Sequence, residues 1–252
     1  MADLNILARY GINEVADVTF YKIDKDGKPT TPVLYLDTLK VSTIEQTAEN
    51  TSARGGKGNP ELIMWDYGKE ITVTLEDALF SAKSMAIMYG AVDADGDAAI
   101  NTSDALKILK TVPKAQVTAD SKVVVNGTEI AIPAEAKYYN ADGSEATSSG
   151  YDYVTFELTV GGSEIVISGD KFPGTYYVTG DTYARSETTG EDEFFQFILP
   201  KAKVQSEVTL TMEAEGDPST FSMNLKVLRP ADGQMMKLVK YSLGAAQEEA
   251  QG

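Results

Sequence analysis

Residues 15–41 read VADVTFYKIDKDGKPTTPVLYLDTLKV and contain two β-type runs around one turn. Val18 and Phe20 stand in a run of β-branched and aromatic residues, which are enriched in strands. That run ends at residues 24–29, DKDGKP, a composition typical of a turn. From residue 33 to residue 41 the side chains alternate between two faces, which is the period of a strand. The segment therefore predicts two neighbouring strands.

Runs of the same type recur through the second half of the chain, with Gly, Pro or Asp turns between them. Many short strands at regular spacing are typical of antiparallel all-β folds. We therefore predict a mainly β protein: an antiparallel β-barrel or sandwich with one flanking α-helix and a small inserted α+β lobe. The later strands are predicted at 154–160, 164–168, 175–184, 193–199, 204–212, 221–228 and 237–243.

One helix is predicted among these strands. Thr74 is followed three positions later by Asp77, which is a variant of the capping box that begins helices. Apolar residues then recur at helical spacing, and Gly90 can end the element. Because apolar stripes of this period usually face a core, we expect this one to pack on the sheet. Its members are Leu79, Ala82, Met85, Ala86 and Tyr89.

The composition excludes several kinds of chemistry. The chain has 252 residues, 38 acidic and 22 basic side chains, a net charge of −16, and neither cysteine nor histidine. Disulfides, thiolate nucleophiles, zinc–thiolate sites, Ser-His-Asp triads and imidazole ligands are therefore excluded. The acidic balance also argues against wrapping nucleic acid, which needs a basic footprint. We expect no enzyme activity.

The chain also lacks the usual signals for export or membrane insertion. Its first ten residues have no basic segment followed by an apolar one, so Sec export is not indicated. No apolar run approaches the roughly 20 residues of a membrane helix. We expect a soluble protein that is made in a cytoplasm and has no membrane partner.

Residues 43–60 are polar and Gly-rich, and they are too long for a simple hairpin turn, so we predict a loop. They do not form a phosphate-binding loop. Thr51 stands where Walker A needs its first Gly, and Gly58 stands where it needs Ser or Thr. We predict an arm that becomes ordered against the acidic surface of a neighbouring subunit. The arm residues are Glu45, Arg54, Gly55, Gly56, Lys57 and Asn59.

Residues 93–104, DADGDAAINTSD, have the acidic spacing of a calcium loop. Calcium prefers roughly 6–8 oxygen ligands, which this spacing would bring to one centre. The segment resembles a dockerin-type loop, although Ala98 replaces the Gly that normally permits a positive φ. A helix over residues 103–110 is predicted to follow. The alternative is an acidic turn without an ion. The predicted ligands of a structural Ca²⁺ are Asp93, Asp95, Asp97, Ala99, Asn101 and Asp104.

An insertion is expected to divide the chain. Short β runs with a hairpin signal at 126–127 follow the calcium-type loop, and residues 140–150 form an Asp/Gly/Ser/Thr linker. We therefore predict a β core from residues 1–90 and 151–252, with an inserted lobe at 91–150.

Several stretches together resemble the major tail or tail tube proteins of phages, of the larger β-barrel kind. They lie on both sides of the predicted lobe and omit the lobe itself. The stretches are TAENTSARGGKGNP (47–60), WDYGKE (65–70), LEDALFS (75–81), FPGTY (172–176), QFILPKA (196–202) and EAEGDPSTF (213–221).

The resemblance implies a structural virion protein in the phage tail. Its subunits would form stacked hexameric rings around an acidic lumen, through which dsDNA passes during ejection without specific binding. It also implies partners in a tape-measure protein and in sheath or baseplate proteins. The 43–60 stretch matches, by its position between early strands, the arm that clasps a neighbouring subunit in such tubes.

Other functions stay open at this point. A calcium loop on an acidic β-rich chain also suits a secreted-type carbohydrate-binding or adhesion module. Within the phage class, another tail or baseplate component is the alternative to the repeated tube subunit. A glycoside hydrolase would need paired carboxylates. The candidate acids for such a pair are Glu191, Asp192, Glu193, Glu213 and Glu215.

Overall fold

The computed structural model describes residues 9–118, 121–125, 127–210 and 220–241. Strands dominate these ranges, and one α-helix, α1 (Ala82–Met88), and one 3₁₀ turn (Lys114–Gln116) accompany them. The predicted mainly β class with one helix is therefore confirmed. The strands are β1 (Tyr10–Ile12), β2 (Asp17–Ile23), β3 (Pro29–Leu36), β4 (Leu39–Arg54), β5 (Glu61–Asp77), β6 (Ile100–Pro113), β7 (Lys122–Val125), β8 (Thr128–Ala131), β9 (Lys137–Tyr139), β10 (Glu145–Ala146), β11 (Tyr153–Ile165), β12 (Thr175–Ser186), β13 (Asp192–Val204), β14 (Phe221–Val227) and β15 (Lys237–Tyr241).

The largest sheet has nine strands in the order β3-β2-β12-β13-β14-β5-β4, with β1 added on β12 and β15 on β13. Its neighbouring strands run antiparallel, as predicted. The order ends at β3 and β4, which do not pair with each other in the described ranges. These strands therefore close no barrel, and the open order is consistent with the predicted sandwich.

One face of this sheet carries the main hydrophobic core. Along β12, every second side chain from Tyr176 to Ser186 is buried, as strand alternation requires. Phe20 of β2 meets Tyr176 edge-to-face with ring centroids 5.9 Å apart. Burial of each such side chain contributes about 1.5–3 kcal/mol. Other members of the core are Val18, Val33, Leu36, Val73, Leu75, Val178, Leu199, Val204 and Leu225.

The helix begins at Ala82, later than predicted, because the residues before it extend β5. From Ile71 to Asp77, buried and half-buried side chains alternate, which is the pattern of a strand on the core. Ser81 caps the helix, since its hydroxyl accepts a hydrogen bond from the Ser84 N–H at 3.0 Å. The Ser84 hydroxyl accepts one in return from the Ser81 N–H at 2.9 Å. In the parts of the chain that the structure describes, no helix is long and apolar enough to cross a membrane.

Some predicted strand limits differ from those of the structure. β11 ends at Ile165, and residues 205–210 after β13 are not strand. Residues 211–212 and 242–243 of the predicted strands lie outside the described ranges.

The described residues form two compact units, one from residues 9–100 and 165–241 and one from residues 101–164. The second unit has a sheet in the order β10-β9-β11-β6 and a separate β7-β8 hairpin. The predicted limits of the lobe, at 91 and 150, stay a prediction. The second unit buries a core of its own, which consists of Val112, Val123, Val154, Phe156 and Leu158.

The helix predicted over residues 103–110 is wrong, because this segment lies in β6. Leu106 and Ile108 also fit a period of two, so the apolar pattern alone does not separate helix from strand. β6 is paired with β11, and the hydroxyls of Thr111 and Thr155 are hydrogen-bonded at 3.0 Å. This pairing outweighs the small intrinsic helix preference of the segment.

Candidate functional site

β4 and β5 form a long hairpin that is joined by a turn at residues 55–60. On the core side, β5 buries alternate side chains from Ile71 onward. Further out, residues 45–51 and 61–69 are all exposed, so both faces of the ribbon are open to solvent. We call residues 47–69 the distal hairpin.

The long loop predicted for residues 43–60 is wrong over most of its length, because residues up to Arg54 belong to β4. β-branched residues such as Thr47 and Thr51 favour an extended chain. The segment lacks alternation of apolar and polar residues because neither of its faces is buried in the subunit. Only its glycine-rich end is a turn.

The predicted arm residues all lie on this hairpin. Glu45 is exposed on β4, and Arg54 ends that strand with an ion pair to Glu61, with Nη2 and Oε2 3.1 Å apart. Gly56 and Gly58 both adopt φ +84°, a conformation that residues with a Cβ rarely adopt. Contact of these residues with a neighbouring subunit stays a prediction. The turn holds Gly55, Gly56, Lys57 and Asn59.

Strand alternation sorts the exposed apolar side chains of the distal hairpin onto two faces. Thr51 is paired with Trp65, and Asn50 is paired with Asp66. Directly opposite residues share a face, so Thr51 and Asn50 mark different faces. The aromatic face consists of Ile63, Trp65 and Tyr67. The aliphatic face consists of Leu62 and Met64. All five of these apolar side chains are at least 52% exposed.

The distal hairpin has the properties of a surface that binds another protein. A two-stranded ribbon on its own is marginally stable in water. In the described ranges, β4 is paired with β5 alone, and the pairing of β14 with β5 stops at Thr72. Contiguous exposed apolar side chains mark interaction sites. Docking against another chain would stabilise the two-stranded ribbon and would bury its exposed apolar side chains.

The two apolar faces were not predicted from the sequence. The signal was present in residues 62–65, Leu-Ile-Met-Trp, which are four consecutive apolar residues after a polar turn. Such a run normally predicts a strand that is buried on both sides. In this chain both sides are exposed.

The first predicted calcium ligands lie in a tight turn that is closed by a bridge between Val92 and Ala98. Asp93 Oδ1 accepts hydrogen bonds from the N–H groups of Asp97 and Asp95, both at 2.9 Å. These hydrogen bonds hold the pKa of Asp93 below its usual range, and the one from Asp97 has the larger effect. The turn has its positive φ, +80°, at Gly96. Residue 98 therefore does not need a positive φ, and Ala can replace Gly there without strain.

Two of the other predicted ligands, Asp97 and Ala99, have partners within the protein. Asp97 has carboxylate oxygens 3.7 Å from Lys22 Nζ and 3.6 Å from Lys83 Nζ. Ala99 donates its N–H to the carbonyl of Ala91 at 2.8 Å. These contacts account for the turn without an ion.

Asn101 and Asp104 lie in β6. Asn101 Nδ2 donates a hydrogen bond to Glu164 Oε1 at 2.7 Å. Among the described residues, no group of three or more acidic side chains is placed to hold a metal ion. Calcium binding by the six residues stays a prediction.

Thermal melting in calcium and in EDTA tests this prediction. If the turn binds Ca²⁺, free calcium at 100-fold its Kd stabilises the protein by about 2.7 kcal/mol and raises Tm. Asp95→Asn removes one predicted ligand charge and should abolish the increase. Equal Tm values for the natural sequence in calcium and in EDTA would contradict the prediction.

A second prediction concerns Tyr176, which is buried beneath the same turn. Its hydroxyl donates a hydrogen bond to the carbonyl of Gly96 at 2.8 Å. Burial and the nearby carboxylate of Asp97 raise the pKa of Tyr176 from 10.0 to about 12. Folding therefore favours the neutral phenol. The stability that this group contributes is complete below pH 10 and is lost as the pH rises through about 12.

Tyr176→Phe should therefore show opposite effects at neutral and at alkaline pH. At pH 7 the variant loses one hydrogen bond, about 1 kcal/mol. Towards pH 12 the natural protein loses about 2–3 kcal/mol relative to the variant, since one pKa unit corresponds to about 1.4 kcal/mol. Urea unfolding of both proteins across this range should show their order of stability reverse. A difference that stays constant with pH would contradict the assignment.

Two of the carboxylates considered for a hydrolase, those of Asp192 and Glu193, are held by basic side chains. Asp192 accepts two hydrogen bonds from Arg185, each at 2.7 Å, and these lower the pKa of Asp192. Glu193 forms an ion pair with Lys240 at 2.5 Å. A general acid instead needs a raised pKa. The expectation of no enzyme activity stays a prediction. Two other candidate acids, Glu213 and Glu215, lie outside the described ranges.

The antiparallel sheet and the distal hairpin define a mainly β class of protein. In the described ranges, the apolar side chains of the distal hairpin are exposed on both of its faces. The chain belongs to the YomU/Tube protein family, whose family model matches residues 10–240. It is also similar to the tail tube protein of Bacillus phage SPR. The two are 24% identical over 248 residues, which cover 90% of this chain and 87% of that protein. The resemblance to phage tail tube proteins is thus confirmed at the level of the family.

Proposed function

We propose that this protein is a structural subunit of a phage tail tube and assembles into stacked hexameric rings. Membership of the YomU/Tube family and similarity to the SPR tail tube protein support the tube role. The observation that carries the assembly is the distal hairpin, with its aromatic and aliphatic faces exposed. In the proposed ring, the hairpin of each subunit packs on a neighbouring subunit.

The aromatic face supplies much of the proposed contact energy. Trp65 and Tyr67 are each 52% exposed. A half-exposed aromatic side chain keeps on the order of 100 Å² for burial by a partner. At about 25 cal/mol per Å², burial of each contributes roughly 2–3 kcal/mol. This amount suits a contact that is repeated around a ring.

We propose that part of the second face of the nine-stranded sheet lines an acidic lumen. On this face, Asp17 of β2 and Asp181 of β12 are directly paired. Like charges in this arrangement destabilise a sheet. Tyr35 donates a hydrogen bond to Asp17 Oδ2 at 3.3 Å, and Gln196 donates one to Asp181 Oδ1 at 2.8 Å. Both donors are neutral, so they stabilise the two facing carboxylates without cancelling their negative charge. This arrangement suits the wall of an acidic lumen.

An acidic wall would let dsDNA pass without binding. Each phosphate that a basic side chain neutralises adds a salt-dependent holding term to the binding free energy. A wall of carboxylates adds no such term, so DNA moves through the tube during ejection. The tube also encloses a tape-measure protein and meets sheath or baseplate proteins. In this proposal, the protein works in the virion tail.

Negative-stain microscopy and light scattering of the purified protein over a concentration series test the proposed function. The expected result is rings and hollow tubes at high concentration. A protein that stays monomeric throughout the series would contradict the proposal. In a cryo-EM map of such tubes, the lumen should be lined by Asp17 and Asp181, and a lumen lined by another face would contradict the wall assignment.

A further inference from the structure

We infer that the second unit carries a binding site for a neutral saccharide, formed by residues 138–153. We call these residues the tyrosine-rich segment. The inference goes beyond the proposed tube function, because it concerns a ligand that the second unit binds by itself.

The tyrosine-rich segment has the composition of a recognition loop. It reads YYNADGSEATSSGYDY, and ten of its 16 residues are Tyr, Ser, Gly or Asn. In recognition loops, tyrosine supplies rigid contact area and the small polar residues supply adaptable hydrogen bonds. The linker that was predicted for residues 140–150 accounts for the small polar residues. It does not account for a pair of tyrosines at one end and two more at the other.

Two of the four tyrosines lie side by side on the outer face of the sheet of the second unit. Tyr139 of β9 and Tyr153 of β11 are directly paired, so their side chains share a face. The next residue, Val154, is fully buried in the core of this unit, so Tyr153 points away from the core and is 41% exposed. Glu145 of β10 is paired with Tyr139 and continues the row. Two phenol rings and a carboxylate therefore stand in a row across three strands.

The other two tyrosines hold the strands beneath this row. Tyr138 and Tyr151 are half-buried and pack against the core of the second unit. Their rings meet edge-to-face with centroids 4.8 Å apart. Lys114 Nζ lies 5.1 Å from the centroid of the Tyr151 ring. The inner pair thus fixes the position of the outer pair.

Hydrogen bonds also fix the turns between the two pairs of tyrosines. Asp152 Oδ2 accepts a hydrogen bond from the Ala141 N–H at 2.8 Å. Asp142 Oδ1 accepts one from the Ser144 N–H at 2.9 Å, and Asn140 Nδ2 donates one to Ser144 Oγ at 2.9 Å. A segment that is already ordered loses less entropy when a ligand binds. The tyrosine-rich segment is therefore prepared for binding in the subunit itself.

The charge of the segment selects an uncharged ligand over a polyanion. Residues 138–153 contain three acids and no base, a net charge of −3. This charge repels phosphate and sulfate groups, which need a basic footprint. Apart from tyrosine, the segment contains no large apolar residue, so it lacks most of the apolar anchors of a protein interface.

A neutral saccharide matches the remaining chemistry. Its C–H faces can pack on the exposed rings of Tyr139 and Tyr153, since a phenol combines an apolar body with a polar tip. Its hydroxyls can donate to the carboxylate of Glu145 and exchange hydrogen bonds with the serine and threonine hydroxyls of the segment. The row of two rings offers a platform for more than one sugar unit.

Binding of oligosaccharides to the full-length protein tests the inference. The probes are an array of neutral glucose, galactose and N-acetylglucosamine oligosaccharides, sulfated forms of the same sugars, and an oligolysine peptide. Isothermal titration calorimetry then gives Kd for the neutral oligosaccharide with the strongest signal. Tyr139→Ala and Tyr153→Ala each remove one ring of the platform, and Tyr153→Phe keeps the ring. Tyr183→Ala is the matched control, because this tyrosine is 47% exposed but lies in β12, outside the second unit.

We expect the natural sequence to bind a neutral oligosaccharide in preference to the charged probes. Each of the two alanine variants in the platform should raise Kd about tenfold, which is the scale of one lost aromatic contact. Tyr153→Phe should stay within about threefold of the natural protein, since the ring is kept, and Tyr183→Ala should bind unchanged. Circular dichroism should show that every variant is folded.

Several results would overturn the inference. They are the absence of binding to any neutral oligosaccharide, unchanged Kd values for both platform variants, or stronger binding of the sulfated sugars. Stronger binding of oligolysine would also overturn it and would assign a cationic partner to the segment. The proposed tube function fails separately, since it is tested by assembly: tubes from a protein that binds no oligosaccharide would overturn only the saccharide site.

Discussion

Trp65→Ser is expected to abolish tube assembly while the subunit stays folded. Trp65 lies in the middle of the aromatic face and is 52% exposed, so its removal leaves no cavity in the subunit core. In the proposed ring it is the aromatic centre of a repeated contact. Truncation of such a residue costs about 2 kcal/mol or more per interface, roughly a 30-fold loss of affinity. Because a closed ring needs every contact, the loss multiplies around it.

Electron microscopy and sedimentation should be run at a concentration at which the natural sequence forms tubes. Circular dichroism and thermal melting should show that the variant is folded. Leu109→Ser is the matched control: this apolar side chain is 75% exposed but lies in the second unit, away from the distal hairpin in sequence. It should assemble like the natural protein. Normal tubes from Trp65→Ser would contradict the role of the aromatic face.

The same side chain reports assembly in the natural protein. Trp65 is the single tryptophan of the chain. Its fluorescence emission should therefore move to shorter wavelength as tubes form, because the indole leaves water. An emission spectrum that is unchanged by assembly would place Trp65 in solvent within the tube.

Gly90→Ala is expected to destabilise the subunit by about 2–4 kcal/mol. Gly90 follows the helix at φ +75°, a conformation that costs an L residue about 1 kcal/mol. An added Cβ would also lie only 2.7 Å from the carbonyl carbon of Phe172 and 2.8 Å from the nitrogen of Pro173. These are backbone atoms, so no change of rotamer relieves the overlap. Overpacking of this kind costs typically another 1–3 kcal/mol.

Gly27→Ala separates the two causes. Gly27 has a similar φ of +80°, but an added Cβ would meet no atom within 4 Å. It should therefore cost only the conformational part, about 1 kcal/mol. Urea unfolding of both variants measures the difference. Equal losses would show that the close approach of Gly90 to residues 172–173 does not constrain the fold.

Strands with one buried face, such as β12, could be predicted from the sequence, whereas the distal hairpin and most of β6 could not. Residues 175–184 alternate between core and second face, and β12 formed there. Alternation of apolar and polar residues did not predict the distal hairpin, because neither of its faces packs within the subunit. Residues 103–110 of β6 were predicted as a helix because their apolar residues fit both periods, and only the pairing of β6 with β11 decides between them. Local pattern is a weak guide where a neighbouring strand determines the conformation.

The sequence indicated that residues 43–60 are unusual but not which conformation they adopt. Arg54, Lys57 and the glycines lie at the end of the distal hairpin, and their contact with a neighbouring subunit stays a prediction. Composition could not show that the segment belongs to a ribbon with apolar residues on both faces. That arrangement depends on the register between β4 and β5, which includes bulges such as the one between Thr47 and Glu49. A partner for those faces could not be predicted from the periodicity of either strand.

The hydrogen bond between Asn101 and Glu164 bears on how the chain tolerates changes of length. It holds the first and last residues of the second unit side by side, so the chain leaves and returns at nearly the same point. The entropy of closing a loop depends on bringing its ends together and grows only slowly with the length between them. A change in the length of this unit should therefore cost the nine-stranded sheet little stability, provided that the ends of β6 and β11 stay paired.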